Sequence, residues 1–211
     1  IKNEIKKISN ILVKNYGPPY VHLAKDLKLN TAHHLNKIFP KSKVMSLSEN
    51  KKIKILLEKK FKEKMLMNNF EIFAKPNKTG KRVPFHQDNF YWNIKNKKAL
   101  NVWIACTNSN KKNGGVFYFE KSHKDGLIEH EISYAAGSSQ KIPDSIVKKF
   151  SYKKSFPNLK PGDCIIHHCE VAHGSKRNVS NLNRIGLVIS YKAKGARLDK
   201  EGLNRYQLNL K

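Results

Sequence analysis

The feature that most constrains the fold is a change of hydrophobic period near residue 69. From there to residue 192 the chain consists of short apolar segments separated by turn residues. The clearest segment is LNVWIAC, in which Leu100, Val102 and Ile104 share one face while Asn101 and Trp103 share the other. A series of short strands of this kind predicts an all-β barrel or sandwich.

The residues before this region favour helices. Ile1, Ile5, Ile8 and Leu12 recur at helical spacing. Residues 46–49 have the form of a capping box, and a second apolar stripe follows them. Helices followed by many strands predict a mainly β (α+β) protein in which N-terminal helices support a barrel.

We expect one domain over residues 1–211, a length that suits a single hydrophobic core. Within it, residues 1–68 are expected to give mainly helical support, residues 69–192 the barrel core and residues 193–211 a C-terminal tail. Residues 124–154 show no clear pattern, so we expect an irregular, mobile insertion there.

The chain is strongly basic. It has 42 Lys and Arg residues against 16 Asp and Glu residues, a formal net charge of +26. Such a balance suits nucleic-acid phosphates or small anions. The lysines are spread along the whole sequence, however, as expected if they mainly fill solvated faces. Charge alone therefore does not decide between a nucleic-acid partner and a small molecule.

The sequence predicts a cytoplasmic protein without a membrane segment. No apolar run approaches membrane-spanning length, and the first residues, IKNEIKKISN, lack the apolar stretch of a signal peptide. The three cysteines are an odd number, which indicates reduced thiols rather than a disulfide framework.

A histidine and a carboxylate stand two positions apart in VPFHQDNFYW, residues 83–92. On a strand, His86 and Asp88 would project on the same face and Gln87 on the opposite one. An imidazole nitrogen beside a carboxylate oxygen suits a divalent transition metal with mixed ligands. The same pair on a strand surface would be an ordinary ion pair, so a metal site needs a further ligand from elsewhere.

A downstream segment, LKPGDCIIHHCEVAHGS, offers that ligand in His173, which follows the end of a strand. Later, Arg184 opens the last long strand, where the residues that share its face include Gly186 and Val188 and are small. A guanidinium beside a metal can hold a carboxylate through two parallel hydrogen bonds. The alternative is an exposed arginine on an edge strand.

In order and approximate spacing, these stretches resemble the phytanoyl-CoA dioxygenase family of Fe(II)- and 2-oxoglutarate-dependent oxygenases. The resemblance extends over residues 73–191 and rests on VPFHQD, LNVWIACTNSNKKNGGVFYFEKSHK, LKPGDCIIHHCEVAHGS and NRIGLVISY. It implies a double-stranded β-helix, which is a cupin-like jelly-roll barrel. One departure lies before Ser122, where the family's usual proline and glycine are here Glu120 and Lys121.

The resemblance also implies an Fe(II) site, which is the catalytic centre, formed by His86, Asp88 and His173. Arg184 would pair with the distal carboxylate of 2-oxoglutarate. Three further residues match positions near the cosubstrate, namely Trp103, Gln87 and Lys75. For Gln87, contact with a neighbouring strand is the alternative.

The implied activity is hydroxylation of a small or medium-sized organic substrate, with dioxygen as oxidant and decarboxylation of 2-oxoglutarate to succinate. Because halogenating relatives replace the carboxylate ligand by a small residue, Asp88 favours hydroxylation. The expected partner is a small molecule, with anionic and CoA-linked compounds among the candidates, rather than nucleic acid. Two alternatives stay open: an oxidative demethylase acting on nucleic acid, and a non-enzymatic β-barrel binding module.

Other side chains with possible chemistry have ordinary structural explanations. An apparent zinc cluster combines two histidines with two cysteines, but Cys164 and Cys169 would face opposite sides of a strand. Of Tyr91 and Trp92, one is expected to pack in the barrel and the other to line the substrate site. The remaining candidates are expected to be solvated or to lie near the mouth of the pocket. They are His33, His34, His123 and His130.

Overall fold

The computed structural model describes residues 1–135 and 137–209. Its helices are α1 Lys2–Asn15, α2 Leu35–Ile38, α3 Lys51–Phe61, α4 Asn89–Trp92, α5 Asp144–Lys148 and α6 Lys200–Leu208. Its strands are β1 Val21–Leu23, β2 Leu29–Ala32, β3 Met65–Lys75, β4 Val83–His86, β5 Ala99–Ala105, β6 Val116–Phe119, β7 Glu131–Ala135, β8 Ser138–Lys141, β9 Lys154–Ser155, β10 Cys164–His168, β11 His173–Ser175 and β12 Arg184–Ala193. None of these helices combines the length and the apolar composition that a membrane crossing requires.

Ten of the strands form two antiparallel sheets. The major sheet has the order β1-β2-β3-β12-β5-β10 and the minor sheet the order β4-β11-β6-β9, while β7 and β8 form a separate hairpin. Segments far apart in sequence are neighbours, as where β12 lies between β3 and β5. Side chains of both sheets line one cavity, so the sheets face each other in the predicted jelly-roll arrangement.

The largest core lies between the N-terminal helices and the outer face of the major sheet. Ile5, Ile8 and Leu12 of α1 pack in one cluster with Ile72 of β3 and Leu187 of β12. Their spacing puts the three α1 residues on one stripe of the helix. The region before residue 65 also contains β1 and β2, which extend the major sheet and were not predicted.

The predicted capping box at residues 46–49 is wrong. These residues belong to a 3-10 turn at Lys43–Glu49. The helix α3 begins after Asn50, whose side chain accepts a hydrogen bond from Ile53 N at 3.2 Å. An asparagine at this position satisfies a free N–H of the first helical turn as well as a serine would.

Residues 124–154 are more regular than expected. They contain the β7–β8 hairpin and α5, and they bury His130 and Ile142. The C-terminal tail likewise carries α6, where Tyr206 contacts Tyr91 edge-on with ring centres 5.7 Å apart. Both segments therefore pack beside the residues that follow β4.

The turn that departs from the family pattern keeps a left-handed conformation. Lys121 has φ +66° and ψ 0°, a region that costs an L-residue roughly 1–2 kcal/mol. Lys121→Gly is therefore expected to raise stability by about 0.5–1 kcal/mol, a rise in Tm of about 2 °C by calorimetry. Lys124→Gly is the control, because Lys124 does not have a positive φ and should lose stability instead. A lower Tm for Lys121→Gly would contradict this explanation.

Candidate active site

Two histidines and an aspartate meet between the sheets. His86 is the last residue of β4, Asp88 precedes α4, and His173 opens β11 directly opposite His86. The Asp88 Oδ1 atom lies 3.6 Å from His86 Nε2 and 3.8 Å from His173 Nε2. One donor atom of each residue lies within 4.8 Å of the others, and no other such group occurs among the residues that the structure describes.

A backbone carbonyl orients each imidazole. His86 Nδ1 lies 2.9 Å from Pro84 O, and His173 Nδ1 lies 2.9 Å from Val171 O. Since a carbonyl only accepts, each Nδ1 carries a proton, and in a neutral ring Nε2 then keeps its lone pair on the side of Asp88. Burial lowers the pKa of His173 to about 3, so this ring is neutral at pH 7. Neutral imidazoles held in this way are prepared to bind a metal.

The second oxygen of the Asp88 carboxylate is held by two side chains of the major sheet. Asp88 Oδ2 accepts hydrogen bonds from Asn101 Nδ2 at 2.8 Å and from His167 Nε2 at 3.2 Å. Burial by itself would raise the pKa of Asp88, but interactions with the neighbouring histidines, among them the hydrogen bond from His167, hold it well below its usual range. The carboxylate is therefore ionised, with Oδ2 occupied and Oδ1 turned towards the two other donors.

This donor set fits a divalent transition metal. Two imidazole nitrogens and one carboxylate oxygen form the facial arrangement typical of non-haem Fe(II) oxygenases, which leaves further coordination positions open. Hydrogen bonds from the outer side fix all three donors, an arrangement that usually supports metal affinity. The fold thus brings together the three residues that the sequence predicted as ligands.

Arg184, at the start of β12, is a buried cation in the same cavity. Its Nη1 and Nη2 donate to the carbonyls of Phe73 and Gly114, each at 3.1 Å, and its guanidinium lies 5.4 Å from the centre of the Trp103 ring. Within the described residues its Nε has no hydrogen-bond partner. Burial lowers the pKa of Arg184 to about 9, so the group is charged at pH 7. A buried guanidinium with a free N–H suits an anionic ligand.

Trp103 occupies the space that Gly186 leaves beside Arg184. The predicted alternation along β12 is confirmed, since Val188 of this face lies opposite Trp103 and packs in the same cluster. A Cβ atom at position 186 would lie 2.1 Å from Trp103 Cζ2. The small residue is therefore required for the tryptophan to lie beside the guanidinium.

Gly186→Ala is expected to destabilise the fold by about 1–3 kcal/mol, because the indole ring has to move. The movement also takes the ring away from Arg184, so binding of 2-oxoglutarate should weaken. Urea unfolding and a ligand titration measure the two effects. Gly17→Ala is the matched control, since no atom lies within 4 Å of a Cβ there. Equal losses at both positions would contradict the steric explanation.

The prediction that Lys75 binds the cosubstrate is not supported by its position. Lys75 Nζ donates to the carbonyls of Lys81 and Lys176, both at 2.6 Å, and so joins the loops that follow β3 and β11. Lys75 lies opposite Arg184 in the β3–β12 pair, but it does not line the cavity of the metal ligands. Burial and the charge of Arg184 hold the pKa of Lys75 well below its usual range. These contacts give Lys75 a structural role, and its contact with the cosubstrate stays a prediction.

Gln87 also faces away from the cavity, although β4 ends at His86 and the alternation of the strand does not continue to Asp88. Its Nε2 donates to Gly126 O at 2.8 Å and to Glu170 O at 2.7 Å, and its Oε1 accepts from Ile128 N at 2.7 Å. These partners lie in two loops and not in a neighbouring strand, which was the alternative prediction. Gln87 fixes the backbone between His86 and Asp88, and its contact with a cosubstrate stays a prediction.

His130 supports the same segment from behind and does not lie at the mouth. Gln87 N donates to His130 Nε2 at 3.0 Å, and His130 Nδ1 donates to Ile128 O at 2.8 Å. The ring stacks on Phe90 with centres 4.2 Å apart. Burial lowers the pKa of His130 to about 3, so Nε2 remains an acceptor at neutral pH.

Neither Tyr91 nor Trp92 lines the cavity, contrary to expectation. The Tyr91 hydroxyl donates to Gln140 O at 2.9 Å, and Trp92 packs against Ile94 and Cys169. Sequence reasoning did not identify Asn101 and His167, which hold Asp88, as residues of the site. The two are partners in the β5–β10 register, so strand pairing was the signal that would have found them.

The comparisons with known proteins agree with this geometry. A family model described as Phytanoyl-CoA dioxygenase (PhyH) matches residues 21–186. Phytanoyl-CoA dioxygenase 1 of Oryza sativa subsp. japonica is 27% identical over 166 residues, covering 78% of this chain and 57% of the rice protein. The ectoine dioxygenase of Sphingopyxis alaskensis is 24% identical over 140 residues, covering 60% of this chain and 46% of that protein. The chain thus spans about half the length of these curated relatives.

Among solved structures, that of EctD from S. alaskensis with bound Fe aligns with 95% of this chain and 72% of its own. The TM-score is 0.72 and the identity 17%, so this likeness shows the fold alone. The match to the family model, in contrast, extends over well more than half of the chain and includes His86, Asp88, His173 and Arg184. On that match, the chain belongs to the phytanoyl-CoA dioxygenase family.

Proposed function

We propose that this protein is a non-haem Fe(II)- and 2-oxoglutarate-dependent dioxygenase that hydroxylates a small or medium-sized organic substrate. The observation that carries the proposal is the meeting of two donor groups in one cavity. A metal-binding set of His86, Asp88 and His173 lies there with Arg184, a buried cation that keeps a free N–H. A site that bound only a metal ion would not require the buried guanidinium of Arg184 in the same cavity.

In this proposal His86 Nε2, Asp88 Oδ1 and His173 Nε2 hold Fe(II), and Arg184 binds the distal carboxylate of 2-oxoglutarate. Trp103 keeps the guanidinium in place, and the cavity walls exclude water from the reacting atoms. The iron with 2-oxoglutarate and dioxygen supplies the chemistry, in which one oxygen atom enters a substrate C–H bond and the other enters succinate as CO₂ is lost.

Formation of succinate from 2-oxoglutarate tests the proposal. The protein with Fe(II) should produce succinate, and His86→Ala should lower the rate at least about 100-fold, because a metal ligand is lost. His123→Ala is the matched control, since His123 lies in the turn at Ser122–Asp125 and does not line the cavity. Equal rates in a folded His86→Ala variant would contradict the proposal.

A small molecule is the substrate class that the relatives support, an ectoine dioxygenase among them. We propose in addition that anionic compounds, CoA-linked ones included, approach along a basic groove outside the barrel. Arg82 and Lys176 lie in this groove and are the chain neighbours of Val83 and Ser175, which line the cavity. Exposed positive charge attracts anions at low ionic strength.

We propose that residues 1–211 form one dioxygenase domain, with helical support in 1–68, the barrel in 69–192 and the tail in 193–211. The shared core of α1 and the major sheet supports this division, as does the contact of α6 with Tyr91. We also propose a cytoplasmic location, for which the three free thiols are the support.

A further inference from the structure

The cavity lined by the metal ligands is also lined by Glu71, whose carboxylate is not part of the metal-binding set. Along β3, Phe70 and Ile72 pack in the main core, while Glu71 and Phe73 face the cavity. The Glu71 side chain is only 15% exposed. An acidic group in such a position is costly unless a partner compensates it.

One oxygen of this carboxylate has a fixed partner. Glu71 Oε1 makes a short contact with His33 Nδ1, and the His33 ring meets the edges of His22 at 5.8 Å and Phe73 at 6.0 Å. Burial would lower the pKa of His33, but Glu71 raises it above its ordinary value, so the contact favours the charged imidazole beside the carboxylate. This pair fixes the carboxylate on the cavity wall.

The other oxygen is free to accept. No residue in the described part of the chain donates a hydrogen bond to Glu71 Oε2. A carboxylate offers about four acceptor sites, so the contact with His33 leaves most of them unused. Asn101 Oδ1, which belongs to another residue of the same cavity wall, is buried and also lacks a donor. Glu71 Oε2 and Asn101 Oδ1 are thus two acceptors of the cavity lining without a donor in the described residues.

The position of Glu71 separates it from the metal site. In the sheet register, Glu71 pairs with Val188 and Val188 with Trp103, so Glu71 lies two strands from β5. Two strand spacings are about 10 Å, so Glu71 lies beyond contact distance of the β5 residues that adjoin the metal ligands. Fe(II), Asp88, 2-oxoglutarate and Arg184 together carry no net charge. Among the described residues that line the cavity, Glu71 is the acidic one besides Asp88.

We propose that Glu71, positioned by His33, binds a hydrogen-bond-donating group of the substrate, an ammonium in preference to a hydroxyl. The inference rests on the proposed function and narrows its substrate class. The part of the substrate that enters the cavity is then an amine or a polar alcohol, and a carboxylate there is disfavoured. Charge-assisted hydrogen bonds are about twice as strong as neutral ones, which gives the order of preference.

Three compounds with the same six-carbon skeleton test this inference: hexylamine, 1-hexanol and hexanoate. Each is titrated anaerobically into the protein with Fe(II) and 2-oxoglutarate. Iron and 2-oxoglutarate together are expected to give a visible metal-to-ligand charge-transfer band, and the change that each compound causes in this band gives its Kd. The titrations are made in 0.2 M salt, where the screening length is about 7–8 Å. Screening weakens the attraction of ligands to exposed lysines more than their interaction with a buried carboxylate. Hexylamine should bind at least about 10-fold more tightly than hexanoate.

Variants of Glu71 separate recognition from a structural role. Glu71→Gln should weaken hexylamine binding about 10-fold and change 1-hexanol binding less, because the amide oxygen still accepts. Glu201→Gln, on the exposed start of α6, should change neither. If the Glu71–His33 pair only connected β3 to the residues after β2, Glu71→Gln would change the stability of the protein but not the order of its affinities for the three compounds.

The outcomes distinguish this inference from the proposed function. If the band forms but hexanoate binds as tightly as hexylamine, or hexylamine has no effect, the inference is overturned and the oxygenase assignment stands. The parent protein decides this even if a Glu71 variant does not fold. If no band forms, the proposed function fails and the inference falls with it.

Discussion

Asp88→Ala is expected to lower the affinity of the protein for Fe(II) by about a thousand-fold or more, a loss of about 4 kcal/mol. The carboxylate supplies the only charged ligand of the three, so its removal leaves two neutral imidazoles. Asn101 Nδ2 and His167 Nε2 would also lose their common acceptor. A buried donor left without a partner costs about 1–3 kcal/mol, so the metal-free variant should be less stable than the parent.

Anaerobic calorimetry with Fe(II) measures the first effect, and urea unfolding of the metal-free proteins measures the second. Asp144→Ala is the matched control, because Asp144 is exposed and, among the described residues, its carboxylate forms an ion pair only with Lys141. Its metal affinity should equal that of the parent. Retention of parental Fe(II) affinity by folded Asp88→Ala would contradict the assignment of the ligands.

Arg184→Ala is expected to weaken the binding of 2-oxoglutarate by about 100-fold or more, since truncating one partner of a buried charge pair costs about 2–5 kcal/mol. The effect should be specific to the anion, because Arg184 is not a metal donor. Arg184→Lys keeps the charge but loses the planar fork, so its affinity should lie between those of the parent and the alanine variant.

Two further variants locate the effect. Arg177→Ala removes an exposed arginine of the basic groove and should leave the Kd for 2-oxoglutarate unchanged. Lys75→Met should lower stability, because the carbonyls of Lys81 and Lys176 lose their donor, with a smaller effect on the Kd. An equal loss of affinity for Lys75→Met and Arg184→Ala would return Lys75 to the cosubstrate site.

The sequence predicted the parts of the fold in which alternation is strong. The faces expected for β5 are observed, with Leu100 and Val102 in the main core and Trp103 on the cavity side. On β7 the alternating apolar residues do not face a core, because Ile132 and Tyr134 are exposed. Apolar residues that do not enter a core give no reliable strand signal, so this hairpin was mistaken for an irregular insertion.

The sequence predicted site residues that stand close together in the chain. It did not predict residues whose partners lie in loops that are distant in sequence. The alternation of a strand predicted that His86 and Asp88 would project together; both line the cavity, although β4 ends at His86 and Asp88 has helical φ and ψ at the start of α4. The partners of Lys75, in contrast, are carbonyls of two loops that only the folded chain brings near. For His167, the sequence shows that it faces away from His168, but only the pairing with β5 shows which of them meets Asp88.

The most direct test of the central proposal is an anaerobic titration of metal-free protein with Fe(II) and then 2-oxoglutarate. The parent protein should show a visible metal-to-ligand charge-transfer band. The band should be absent in Asp88→Ala and should need far more 2-oxoglutarate in Arg184→Ala. No band in well-folded parent protein would contradict the account, and His86, Asp88 and His173 would then be a buried polar cluster in a barrel of another function.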